Sequence, residues 1–227
     1  MTGTEIPDAL CRADAYPHPC DEIRLVETHI SWVFLTGRYA YKVKKPVAFG
    51  FVDFSTAALR QHFCREELRC NRAFAAELYV DVVPIVRGET GLRVAERPGA
   101  NDVVVEWAVK MVQFDRRRQL DNLLDAGELQ VEQMCAFGSV LASQHNALAR
   151  LSDSPTHLAA RVQQPALDNF RSLYQHLPDA AAKSRSASVA ALPRRLPALE
   201  EASRALFQRL QPEFQTRLSD GFMRECH

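Results

Sequence analysis

Residues 27–46 read ETHISWVFLTGRYAYKVKKP, and this stretch decides the fold. Aromatic and β-branched residues alternate with other types over residues 30–36 and again over residues 39–44. A period of two is typical of β-strands, and the Thr-Gly-Arg sequence at 36–38 supplies a turn between the two runs. Pro46 cannot continue a paired strand. The stretch therefore predicts a β-hairpin that ends at Pro46.

The flanking sequence extends this hairpin into a sheet. Residues 23–27 can add a strand before it, and strand patterns follow at 80–86 and 103–112. Between them, Ser55 or Thr56 can cap a helix whose apolar residues are spaced by helical turns: Leu59, Phe63, Cys70 and Phe74. Residues 1–112 are therefore predicted to form a small lobe, an antiparallel sheet with one helix inserted.

Beyond Phe114 the apolar spacing becomes helical, with one segment around Leu120 and a longer one from Val131 to Leu148. Residues 179–197 are rich in Ala, Ser, Arg and Pro without a clear apolar stripe, which we interpret as a mobile loop or a poorly packed connection before a last helix at about residues 198–210. Residues 113–227 thus form a predicted helical lobe. The fold class is α+β.

Composition excludes several functions. The chain has 28 basic and 28 acidic residues, without the positive excess of a nucleic-acid-binding protein. We find no signal peptide and no membrane span in the sequence and expect a cytoplasmic protein. The cysteines are scattered without C-x-x-C spacing, and Cys11, His18 and Cys20 have no second ligand pair, so no metal site is predicted.

Two kinds of charged residue occupy positions that need an explanation. Lys42 and Lys44 lie on one face of the second hairpin strand, and Glu67 falls within the apolar stripe of the helix. A strand lysine and an inward glutamate can form an ion pair that holds the lysine ready for phosphates. The alternatives are a solvated edge face for the lysines and a salt bridge without a ligand. Periodicity does not choose between the two lysines.

At this point the sequence resembles a known family. The hairpin, the sequence Tyr-Ala-Tyr-Lys at 39–42 and the helix with Glu67 occur in the order of a protein-kinase small lobe. More narrowly, five stretches resemble bacterial aminoglycoside-phosphotransferase-like proteins: ETHISWVFLTGRYAYKVKKP, FGFVDFST, REELRCNR, VDVVPIVRG and GFMRECH. The resemblance implies a two-lobed, protein-kinase-like fold and an ATP-dependent transfer of the γ-phosphate to a small-molecule hydroxyl.

The resemblance also implies roles for individual residues. Lys42 matches the lysine that contacts the α- and β-phosphates of ATP, with Lys44 as the alternative, and Glu67 matches its ion-pair partner. Met111 and Gln113 fall in the connection between lobes, whose backbone would bind the adenine edge. The kinase pattern G-x-G-x-x-G is absent before Lys42, where Thr-His-Ile-Ser stands at 28–31, and relatives of the aminoglycoside type also often lack that pattern.

His227 matches the first residue of the catalytic His-Gly-Asp loop. The resemblance implies that the catalytic Asp and the Mg²⁺ ligands come after it, so we expect an incomplete large lobe and an inactive chain. Relatives are often fused to a P-loop ATPase domain. The alternative function is a non-catalytic nucleotide-binding or regulatory adaptor module. The expected partners are ATP with Mg²⁺ and an unknown small-molecule substrate, not nucleic acid or membrane.

Overall fold

A computed structural model describes residues 5–20, 22–50, 52–89, 91–152 and 154–224. The protein is α+β, with a six-stranded antiparallel sheet followed by helices. The sheet strands are β1 Arg24–Glu27, β2 Ser31–Leu35, β3 Tyr39–Lys44, β6 Tyr79–Gly88, β7 Gly91–Val94 and β8 Val103–Val112. They lie in the order β1-β2-β3-β8-β6-β7. A separate two-stranded hairpin pairs β4 Ala48–Phe49 with β5 Val52–Asp53.

The predicted hairpin is confirmed as β2 and β3. Ser31 pairs with Lys44 and Leu35 with Ala40, so the register is fixed by the tight turn between the strands. Gly37 has φ of 90°, a left-handed conformation that glycine adopts without steric cost. The strands predicted at 23–27, 80–86 and 103–112 are present as β1, β6 and β8. Short strand β7 was not predicted.

Helix α2, Ala57–Ala75, is the predicted inserted helix. The side chain of Thr56 accepts a hydrogen bond from the backbone N–H of Leu59, which decides between the two predicted caps in favour of Thr56. The helix packs against β8 and β6. A buried polar contact joins the helix to the sheet: the Arg60 guanidinium donates to Glu106 of β8 at 2.6 Å and to the carbonyl of Phe54 at 2.7 Å. Burial raises the pKa of Glu106 despite this partner.

The sequence analysis missed the N-terminal segment. Helix α1, Glu5–Leu10, and a 3-10 turn at Ala13–Ala15 pack against β7. Leu10 and Tyr16 join one hydrophobic core with Phe34 and Tyr41 of the sheet. This core lies on the face of β3 opposite Lys42 and Lys44, because side chains alternate along a strand.

The helical part contains α3 Leu120–Asp125, α4 Val131–Ala147, α5 Pro155–Lys183 and α6 Ala187–Ser219. The predicted loop at 179–197 is wrong: α5 continues to Lys183 and α6 begins at Ala187. Alanine has the highest helix propensity, which compensates for the weak apolar stripe, and α5 and α6 pack against each other. Among the described helices, none combines the length and apolarity that a membrane crossing requires.

The contacts divide the chain into two compact units, Met1–Gly138 and Ser139–His227. The first unit contains the sheet, α2 and α3, and all the candidate site residues except His227. The lobe boundary predicted after Val112 coincides with the end of the last strand. That this boundary also separates two functional lobes remains a prediction.

Replacing Arg60 by Ala should destabilise the first unit by about 3–5 kcal/mol, because Glu106 would stay buried without its cation. Urea denaturation followed by circular dichroism measures the loss. The matched control is Arg69→Ala on the same helix, whose ion pair with Glu66 is exposed and should contribute less than about 1 kcal/mol. Equal destabilisation by the two substitutions would show that the buried pair has no special role.

Candidate functional site

Two neighbouring rows of side chains run across the strands on one face of the sheet. Directly opposed residues of neighbouring antiparallel strands project to the same side, so the register gives the rows. The first row is Arg24, Leu35, Ala40 and Met111. The second row is Val26, Val33, Lys42 and Val109. These two rows are therefore apolar except at Arg24 and Lys42, and Lys44 follows on the same face opposite Ser31.

An apolar slot of about 220 Å³ opens on this face. Its walls come from both rows and from the chain after β8, and they include Val33, Ala40, Met111 and Phe114. Apolar walls with a few polar groups at the rim are typical of small-molecule sites. The slot suits a flat ring system better than a charged group.

The segment after β8 borders the slot and is held in place by the β2–β3 turn. The backbone N–H of Gln113 donates to the carbonyl of Arg38 at 3.1 Å, and its side-chain carbonyl accepts from the N–H of Gly37 at 3.0 Å. Within the described ranges, the Gln113 C=O and the Phe114 N–H have no hydrogen-bond partner. An acceptor and a donor are thus available beside the slot.

Lys42 and Lys44 both bind Glu67, which confirms the ion pair predicted from the sequence. The distances from Nζ to the Glu67 carboxylate oxygens are 2.9 Å for Lys42 and 2.7 Å for Lys44. The lysines differ in exposure: the Lys42 side chain is 31% exposed and that of Lys44 is 7% exposed. Lys44 also lies 4.8 Å from the centre of the Phe54 ring. Lys44 is thus a buried anchor, whereas Lys42 is partly open and lies in the second row, opposite the slot residue Val33.

The two lysines decide the ionisation of Glu67. Burial alone would raise the pKa of its carboxyl, but the charges and hydrogen bonds of Lys42 and Lys44 outweigh burial and hold the pKa below its ordinary value of 4.5. Glu67 is therefore a carboxylate at neutral pH. Both lysine ammonium groups balance its negative charge.

The β1–β2 turn, for which the resemblance implies a phosphate-covering role, forms its hydrogen bonds within the protein. The N–H of Thr28 donates to the carbonyl of Ser31 at 2.9 Å, and the Thr28 hydroxyl accepts from the Ser31 N–H at 3.0 Å. Lys45 donates to the carbonyl of Thr28 at 2.5 Å. These backbone groups are not free for a ligand in this arrangement.

Met111 and Gln113 line the slot, whereas Lys42 lies in the second row and does not line it. The nucleotide-binding roles that the resemblance implies for these residues stay predictions. His227 lies outside the described residues, so its predicted place in a catalytic loop stays a prediction. In the part of the chain that the structure describes, no group of three His, Cys, Asp or Glu residues could hold a metal ion.

Sequence reasoning missed the slot walls on β1 and β2. Val26, Val33 and Leu35 were recognised as strand residues, but only the hairpin register places them on the face of Ala40 and Lys42. The sequence did contain a signal for this placement, because a two-strand hairpin with a short turn has few possible registers. The side-chain bond of Gln113 to the turn had no sequence signal, because it joins residues 76 positions apart.

The chain is similar to uncharacterized mycobacterial proteins. One relative is from Mycobacterium bovis and two are from strains of Mycobacterium tuberculosis, and each is 33% identical over 147 residues, which is 63% of this chain. The match spans about a quarter (26%) of each relative's length. No family model matches the chain, and no solved structure is significantly similar to it.

Replacing Glu67 by Gln should reduce the free energy of unfolding at pH 7 by about 2–4 kcal/mol, because two lysines lose a largely buried carboxylate. The pKa of Glu67 is lower in the folded chain than in the unfolded one. Its contribution is therefore complete above about pH 4.5 and is lost as the pH falls through the folded pKa. Urea titrations between neutral and acidic pH measure the difference between the two proteins.

The matched control is Glu66→Gln, on the neighbouring exposed position, where little change is expected at any pH. A Glu67→Gln deficit that stays constant down to pH values below the folded pKa would contradict the assignment of the charge to this carboxylate.

Proposed function

We propose that the first unit binds the nucleotide of an ATP-dependent phosphotransferase of the aminoglycoside-phosphotransferase-like kind. The observation that carries the proposal is the position of Lys42. This lysine is fixed by Glu67 and partly open, and it lies opposite Val33, a residue of the slot wall, on the same sheet face. An ATP molecule needs these two environments side by side, one for its base and one for its phosphates.

The slot supports the binding of adenine. Its apolar walls would contact the ring, and the free Gln113 C=O and Phe114 N–H would bind its polar edge. Adenine presents a donor and an acceptor on that edge, which complement a neighbouring carbonyl and N–H. The Gln113 N–H is already used by the β2–β3 turn, so the edge contacts fall to its carbonyl and to Phe114.

The row geometry supports a direction for the phosphates. Ala40 lies in the first row and Lys42 in the second, so a ligand whose base contacts Ala40 extends along β3 toward the lysine. An ammonium group is a good phosphate ligand, and Glu67 restricts its position. Lys44 keeps Glu67 paired while Lys42 contacts the ligand.

The order of the elements also supports the proposal. A hairpin, a strand with a lysine, a helix with its glutamate partner and a final strand that leads to the base edge follow one another as in kinase small lobes. Mg²⁺ would neutralise phosphate charge in the reaction, and the described residues hold no cluster for it. Transfer of the γ-phosphate to a small-molecule hydroxyl is a proposal that rests on the resemblance of residues 221–227 to the catalytic-loop entrance.

MgATP binding tests the proposal. The unmodified chain should bind MgATP in isothermal titration calorimetry, and Lys42→Ala should weaken the affinity at least about tenfold, or about 1.4 kcal/mol. Ala40→Leu should weaken it as well, because the larger side chain fills the slot. Lys44→Ala should lower the thermal midpoint more than Lys42→Ala does, because Lys44 is the more buried of the two.

Lys45→Ala is the matched control, since Lys45 bonds to Glu27 at the hairpin end, outside both rows. Thermal midpoints of all variants show whether a loss of affinity comes from the binding site or from unfolding of the variant. Equal affinity of the unmodified chain and Lys42→Ala, or no binding by either, would reject the nucleotide site and favour the adaptor alternative.

A further inference from the structure

A second cavity, of about 610 Å³, lies beside the slot and has a different chemical character. We call it the arginine cavity. The charged side chains that line it are Arg24, Asp115, Arg116, Arg117, Arg118 and Glu128. Four guanidinium groups against two carboxylates leave an excess of two positive charges, in a chain whose formal net charge is zero. The local excess is therefore a property of this cavity and not of the whole surface.

Only some of the arginines in this cavity pair with other side chains of the protein. The Arg117 guanidinium donates two hydrogen bonds to Oδ2 of Asp115, at 2.9 Å from Nε and at 2.6 Å from Nη2. This pairing lowers the pKa of Asp115. Arg116 makes a single long contact of 3.5 Å with the side chain of Gln119. The guanidinium groups of Arg24 and Arg118 donate no hydrogen bond to any residue in the described ranges. Two guanidinium forks are thus available at one cavity.

Different elements hold these arginines. Arg24 belongs to β1, where it pairs with Leu35 of the slot's first row. Arg116–Arg118 form a 3-10 turn, and its N-cap Asp115 accepts from the Arg117 N–H. The Asn122 side chain donates to the Arg116 carbonyl at 2.8 Å, which ties this turn to α3. The turn and α3, which form two of the cavity walls, are therefore joined by a hydrogen bond.

The arginine cavity lies at the end of the slot that is remote from Lys42. Arg24 is in the first row and Lys42 is in the second, and Arg116 lines both cavities. A nucleotide whose base fills the slot would direct its phosphates to Lys42 and could not also place them among the arginines. An anion in the arginine cavity is therefore a different chemical group.

We propose that the arginine cavity binds the phosphate group of a phosphorylated small molecule, at a site separate from the nucleotide phosphates. Guanidinium forks match phosphate oxygens in pairs, and a phosphomonoester dianion matches the two uncompensated charges. The volume leaves room for the organic part of such a molecule. The inference goes beyond the proposed function, since it requires no nucleotide in the slot.

Glucose 6-phosphate, with glucose as its uncharged counterpart, is a suitable probe. At constant ionic strength, the unmodified chain should bind the phosphorylated sugar, with an affinity of about 1 mM or tighter, and should not bind glucose. The double substitution Arg24→Gln with Arg118→Gln should weaken this binding at least about tenfold. Lys42→Ala should leave it unchanged, so that failure of the nucleotide site and failure of the arginine cavity are separate results.

The matched control is Arg97→Gln with Arg194→Gln, which removes the same charge from exposed positions outside the cavity. Thermal midpoints check that both double variants are folded. The proposal is overturned if the unmodified chain binds glucose as well as its phosphate or binds neither. It is also overturned if the control variant loses as much affinity as the cavity variant, or if Lys42→Ala abolishes binding.

Discussion

The carboxylate of Glu67 is the constraint on which the site depends. It is largely buried between helix and sheet, and a lone carboxylate there would be expensive to bury. Two lysines from one strand balance it, so α2 and β3 are joined at a fixed separation. Since Lys44 alone can neutralise Glu67, Lys42 can turn toward a ligand without leaving a buried charge uncompensated. A single lysine could not serve both purposes equally well.

The buried Arg60–Glu106 pair performs a related structural task at the start of the same helix. It joins α2 to β8, and the hydrogen bond from Arg60 to the Phe54 carbonyl fixes the entry of the chain into the helix. Helix α2 is thus attached to the central strands β3 and β8 by charge as well as by packing. Rigid attachment matters because the position of Lys42 follows from the position of Glu67.

Much of this arrangement was predictable because it depends on short-range periodicity. The alternation around Lys42 and the helical spacing around Glu67 each indicate on which face of its strand or helix the residue lies. Opposite charges that face the same interior predict an ion pair. That both lysines reach the same carboxylate depends on side-chain reach, which periodicity does not give. The loop predicted at 179–197 was wrong because alanine-rich helices need little apolar patterning, and the interior Pro193 and Pro197 are tolerated in α6. Segment α1 was missed because six residues carry little periodic signal.

The N-terminal segment has a consequence for the order in which the chain can assemble. Glu5 bonds to Arg87, 82 positions later, and Leu10 is buried against a sheet whose last strand ends at Val112. Contacts of such large sequence separation are slow to form, because the intervening chain must first be brought into place. Helix α1 is therefore synthesised before the strands that it packs against and is among the last elements to dock, and until then one aromatic face of the growing sheet stays exposed to chaperones and to other chains.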